Sequence, residues 1–148
     1  MSKMRVIPFK KAHLELLNMR EREATEFALS QDLDMRLTYI ENTHNAETLV
    51  YKGVVLGVIG FVQIGPGVIE SFLIPSVYLS ENKFAFARTI SYYKREAIQH
   101  YQWHRLQIVT PDDELHIRWA TFLGFEREGT LRKFGINGED HIMWSIVR

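Results

Sequence analysis

Leu123-Gly124-Phe125-Glu126-Arg127-Glu128-Gly129 is the stretch on which the fold of this 148-residue chain turns. Glycine between apolar residues marks a helix closing in left-handed backbone, which L side chains resist. Upstream, Pro111-Asp112-Asp113-Glu114 reads as the start of that helix, with carboxylates where the positive end of the dipole favours them. Leu115, Trp119 and Phe122 predict its buried face. Downstream, Phe125 to Arg127 and His141 to Val147 predict two strands, joined through a turn containing Asn137-Gly138.

Further out, His104 to Thr110 is a compact strand around Leu106, Ile108 and Val109. A helix is predicted from about Lys83 to His100, with Phe86, Ile90, Tyr93, Ala97 and Tyr101 as its apolar stripe. Before it, Leu49-Val50-Tyr51 leads to Gly53, and Val54 to Ile64 is rich in β-branched residues, a hairpin pattern. Gly65-Pro66-Gly67 is a turn signal, and Val68 to Ile74 is a strand stopped by Pro75, which cannot donate to a ladder. At the N-terminal end, Met4 to Phe9 reads as a short strand and Lys10 to about Gln31 as helix in two pieces. Leu14, Leu17, Ala24, Phe27 and Ala28 recur there at helical spacing. The polar stretch from Asp32 to Ala46 reads as irregular. With no repeat or linker, residues 1–148 read as a single domain of mixed α/β class, a sheet with helices on its faces.

Apolar residues make up 46% and charged residues 24%, the balance of a globular protein. A net charge of +0 argues against a nucleic-acid module, which draws on counterion release. The absence of cysteine excludes disulfides and thiolate metal sites, and no histidine or carboxylate spacing suggests a metal centre. No run approaches the roughly 20 apolar residues of a membrane span, and no signal peptide is legible, so a cytoplasmic protein is expected.

His104-Arg105-Leu106, Ile117-Arg118, the Leu123–Gly129 run, Thr130-Leu131-Arg132-Lys133 and Gly138-Glu139-Asp140 follow one another along this element order. Together they resemble the GNAT N-acetyltransferases, in particular the ribosomal-protein and spermidine-type branch. The same stretches, together with Glu70-Ser71-Phe72-Leu73-Ile74-Pro75, are also similar to small GNAT-like proteins of tailed phages, some acetyltransferases, others virion or assembly proteins. The resemblance implies a mixed sheet of six to seven strands with flanking helices. It further implies transfer of an acetyl group from acetyl-CoA to an amine. The alternative is a catalytically silent protein that serves virion assembly or binds a host protein, inside the host cytoplasm or the virion.

The resemblance also implies where the chemistry would lie. The pyrophosphate cradle of such proteins uses glycine-rich backbone at a helix start. Ser80 to Arg88 contains no glycine; one register puts Asn82 in the polar slot and Ala85 and Ala87 in the small slots, with Lys83 and Arg88 as cations. The competing reading is the first turn of a surface helix. Pantetheine would run along the backbone of Phe72, Leu73 and Ile74. Glu70, in an otherwise apolar strand where burial favours the protonated form, is the candidate base, or else a solvent-facing rim residue. The tyrosine that many of these enzymes use as acid is replaced by Ala120. A polar residue one turn earlier is His116, the candidate acid, or else a capping residue. Asp113, counted with the cofactor residues, stands where the family opens this helix with asparagine. Arg127, Glu128, Arg132 and Lys133 read as a solvated face. Trp103, Trp119, Trp144, Tyr92 and Tyr93 read as packing.

Overall fold

The computed structural model describes residues 4–19, 24, 32–43, 45–96 and 102–148. Its strands are β1 (Arg5–Pro8), β2 (Ala46–Tyr51), β3 (Val54–Gly65), β4 (Val68–Pro75), β5 (Arg105–Pro111), β6 (Glu126–Leu131) and β7 (His141–Val147). The α-helices among the described residues are α1 (Leu33–Thr43), α2 (Lys83–Glu96) and α3 (Glu114–Phe122). The strands hydrogen-bond in the order β1-β2-β3-β4-β5-β7-β6, a mixed seven-stranded sheet. The chain divides into two compact units, residues 1–62 with 73–89, and residues 63–72 with 90–148.

In the first unit β1 pairs antiparallel with β2, and β2 with β3. Residues Val55 to Phe61 of β3 are all buried, so this strand is covered on both faces, and its run of valine, leucine and isoleucine shows no polar alternation. Leu49, Leu56 and Val58 are wholly inaccessible. Burying each such side chain contributes about 1.5–3 kcal/mol.

Two predictions fail in this unit. The stretch read as irregular contains α1, whose Leu37 is buried while Leu33 and Ile40 are half-buried. An apolar stripe only one residue wide is enough once it has a surface to lie on, since packing dominates helical stability. Thr38 Oγ1 also donates to the Asp34 carbonyl at 2.8 Å, which lets a weak helix former sit inside the helix. In the segment read as helix from Lys10, Lys11–Glu15 is a single 3-10 turn. The chain then straightens, Leu17 is buried, and Met19 forms a bridge to Ser76. Phe27 and Ala28 lie outside the described residues.

In the second unit β4 and β5 are parallel, β5 pairs antiparallel with β7, and β6 with β7. Ile69, Leu106, Ile142 and Trp144 are buried. Trp144 Nε1 donates to Thr110 Oγ1 at 2.9 Å, so the indole's polar edge is satisfied. At the β3–β4 turn, Gly67 has φ 72°, its carbonyl accepts from the backbone N–H of His104 and Arg105, and a Cβ there would overlap the His104 ring.

Helix α3 ends as its sequence predicts. Gly124 has φ 88°; its N–H donates to Thr121 O at 3.1 Å, and that of Phe125 to Ala120 O at 3.0 Å. This is the paired closure of a Schellman motif. The predicted buried face is wrong, however. Leu115 and Phe122 are 49% and 64% exposed, whereas Ala120 is buried and His116, Ile117 and Trp119 are half-buried. The helix turns its small residue inward, which permits close approach, and leaves Leu115 and Phe122 outside. Helix α2 is described to Glu96, so the predicted end at His100, with Ala97 and Tyr101, lies outside the described residues.

Candidate active site

Glu70 sits where a ladder stops. The parallel pairing of β4 with β5 runs through Val68↔Arg105, Ile69↔Leu106 and Glu70↔Gln107, and ends there. Directly opposite residues share a face of the sheet. Gln107 in turn faces Ser145 of β7, which faces Glu126 of β6. Four strands of the second unit therefore present one transverse row.

From Glu70 to Ser145 that row is polar, and its members are joined through Arg105 and Glu128 on the same face. Gln107 Nε2 donates to Glu70 Oε1 at 3.0 Å, and Gln107 Oε1 accepts from Arg105 Nε at 2.8 Å. Arg105 grips Glu128 with two parallel bonds, both 2.7 Å. Ser145 Oγ donates to the same carboxylate. These bonds account for the burial of Gln107 and Ser145 in a face that would otherwise lose free energy by holding them. The arginine and the serine hydroxyl hold the Glu128 carboxyl down to about 2, from an ordinary value of 4.5. Arg105 is raised correspondingly, chiefly by its bond to Glu128.

Glu128 stays exposed, as the sequence reading has it, but its carboxylate is bound by Arg105 and Ser145 and so does more than face solvent. A β-bulge between Arg127 and Gly129 makes Glu128 the extra residue of β6, re-aimed at Arg105 and Ser145. No local signal marks it. Only the pairing of β5 with β7 and of β7 with β6 makes Arg105 and Glu128 neighbours.

His116 and Asp113 form a second polar pair in this unit. Asp113 is the N-cap of α3: its carboxylate accepts from the His116 backbone N–H at 2.9 Å. The same carboxylate lies 2.7 Å and 2.9 Å from His116 Nδ1. A carboxylate can only accept, so Nδ1 is the donor in this contact. Asp113 thus orients a histidine as well as opening a helix.

In the first unit, Ser80–Asn82 is a 3-10 turn running directly into α2. Asn82 Nδ2 donates back to the Tyr78 carbonyl at 3.0 Å, so its amide caps the preceding turn. Ala87 is buried and Ala85 half-buried. Lys83 and Arg88 are exposed, with Lys83 Nζ 5.4 Å from the centre of the Phe84 ring. On β4, Leu73 is exposed and Ile74 buried, and Phe72 of the second unit is half-buried. Among the described residues no cluster of three or more histidines and carboxylates could hold a metal ion. No helix is long and apolar enough to cross a membrane, among the described residues.

No protein-family model matches the chain, and no curated protein matches it. Solved structures do. A ribosomal-protein-alanine N-acetyltransferase from Brucella melitensis superposes with a TM-score of 0.74 at 18% identity, covering 97% of this chain and 99% of its own. The microcin C7 self-immunity acetyltransferase MccE, solved with acetyl-CoA and AMP, gives 0.70 at 20% identity, covering 99% and 93%. A GNAT-family acetyltransferase from Bacillus anthracis gives 0.66 at 15% identity, covering 99% and 98%. The fold is that of the GNAT acyl-CoA N-acyltransferases.

Proposed function

We propose that this chain is an N-acetyltransferase that moves an acetyl group from acetyl-CoA to an amine, and that residues 1–148 act as one domain. The observation that carries the reading is the position of Glu70. It is a half-buried carboxylate at the end of the three-pair parallel ladder, where one oxygen is held by Gln107. The shared fold, and acetyl-CoA in one of its representatives, support the same reading.

The fit to a CoA thioester is uneven along its length. Exposed Lys83 and Arg88 suit a pyrophosphate, whereas the buried Ala87 does not offer the close backbone approach of a glycine cradle. The backbone of Phe72, Leu73 and Ile74 would pair with pantetheine, and its N–H groups would polarise the thioester carbonyl. Asp113 would act on His116 and not on the nucleotide. Acetyl-CoA supplies the activated acyl group. Glu70, directly or through a water, removes the amine proton as the N–C bond forms. The C–S bond breaks, and the departing thiolate takes a proton from water or from Nε2 of His116 in its imidazolium form, which returns to the neutral ring still donating from Nδ1 to Asp113.

Thermal melting with acetyl-CoA tests this. At one hundred times its dissociation constant, a ligand stabilises the fold by about 2.7 kcal/mol, a visible shift. No shift at millimolar acetyl-CoA sinks the enzyme. What would then remain is a silent protein of this fold, in the virion or on a host partner.

A further inference from the structure

The bonds of the polar row have a direction, and the direction is imposed from its far end. Arginine has donors only. Arg105, clamped by two bonds to Glu128, can meet the Gln107 side chain only at its carbonyl oxygen. Ser145 holds Glu128 from the other side. Gln107 is 8% exposed, so an amide turned the wrong way round has little water to compensate it. With Oε1 committed to Arg105, Nε2 faces Glu70 and donates to it.

We infer that Gln107 is a positioning residue for Glu70, and that the Arg105–Glu128–Ser145 clamp sets its orientation. Gln107 then keeps Glu70 Oε1 as a permanent acceptor, so the proton taken from substrate arrives on Oε2. Without the clamp, the amide can turn and bring its carbonyl oxygen against the carboxylate, a repulsive contact that disfavours ionised Glu70. A salt bridge between β5 and β6, absent from the chemistry, thus governs the base. The inference rests on the reading of Glu70 as that base only for its catalytic consequence; the orientation itself is a property of the free protein.

Two readouts separate these. In protein without acetyl-CoA, exchange of the Gln107 side-chain amide protons is followed by NMR. Glu128→Gln should accelerate it by roughly tenfold, the worth of one charge-assisted hydrogen bond. Glu126→Gln, on the same strand but outside the clamp, should leave it unchanged. In turnover, Glu128→Gln and Gln107→Leu should both move the acid limb of the kcat/KM profile to higher pH, with KM for acetyl-CoA unchanged. Unaltered amide exchange in Glu128→Gln overturns the proposal, as does an acid limb that moves in Gln107→Leu alone. If exchange responds as expected but Glu70→Gln keeps full turnover, the orientation stands and the base has been misassigned.

Discussion

The row from Glu70 to Ser145 and the helix start from Ser80 to Arg88 are built on opposite plans. In the row, side chains bind side chains, each donor and acceptor fixing the next, and two of the five members are buried. At the helix start the one side-chain amide, that of Asn82, is spent on the Tyr78 carbonyl, and the charges of Lys83 and Arg88 stand outward. The first is hydrogen-bonded to itself before any ligand arrives; the second offers charge. Such a division suits a reaction in which one part must place a proton and another need only hold an anion.

That contrast can be broken most severely at Glu70. Glu70→Gln keeps the acceptor oxygen but removes the base, so kcat should fall by roughly 10²–10⁴-fold while the acetyl-CoA melting shift persists. Full turnover in this variant would make the row structural only. At the helix start the expectation is reversed. Lys83→Ala combined with Arg88→Ala should weaken acetyl-CoA affinity on the order of tenfold while leaving kcat at saturation unchanged. Calorimetric titration showing wild-type affinity would remove the helix start from the binding surface.

The smallest effect is one of stability against pH. The Glu128 carboxyl, held at about 2 in the fold against an ordinary 4.5, stabilises the native state fully above the higher value. That contribution fades as the pH falls toward 2. Melting temperatures of wild type and Glu128→Gln should therefore converge across this interval. Because the Glu128 side chain is 38% exposed, salt should narrow their separation at neutral pH. Curves that stay parallel would mean the clamp holds geometry without contributing stability.

The fold was legible where local chemistry and periodicity agree. Gly124 has to be left-handed for α3 to end, and Gly65-Pro66-Gly67 has to turn. What escaped reading depends on partners distant in the chain. Helix α1 shows a narrow stripe whose worth comes from what it packs on. The inward face of α3 is centred on Ala120, and nothing in the spacing of Leu115, Trp119 and Phe122 announces that preference. At the site, Glu70 was visible as a carboxylate in an apolar strand, and His116 only through the position that the resemblance gives it. Gln107, Arg105 and Glu128 were not, because a polar residue in a strand looks the same whether it meets water or another side chain. Register decides which, and register is a property of the sheet.

The turn at Gly67 has a consequence for how this sequence can drift. Any L residue there meets two independent objections, a φ of 72° and the His104 imidazole already occupying the space of a Cβ. A change at His104 removes only the second, so a non-glycine residue at 67 still carries the strain of left-handed backbone whichever of the two positions changes first. Two N–H groups at the head of β5 depend on that one carbonyl. Position 67 is therefore a fixed point, and variation that retunes the chemistry has to enter further along β4 and β5, beyond the residues this turn holds in register.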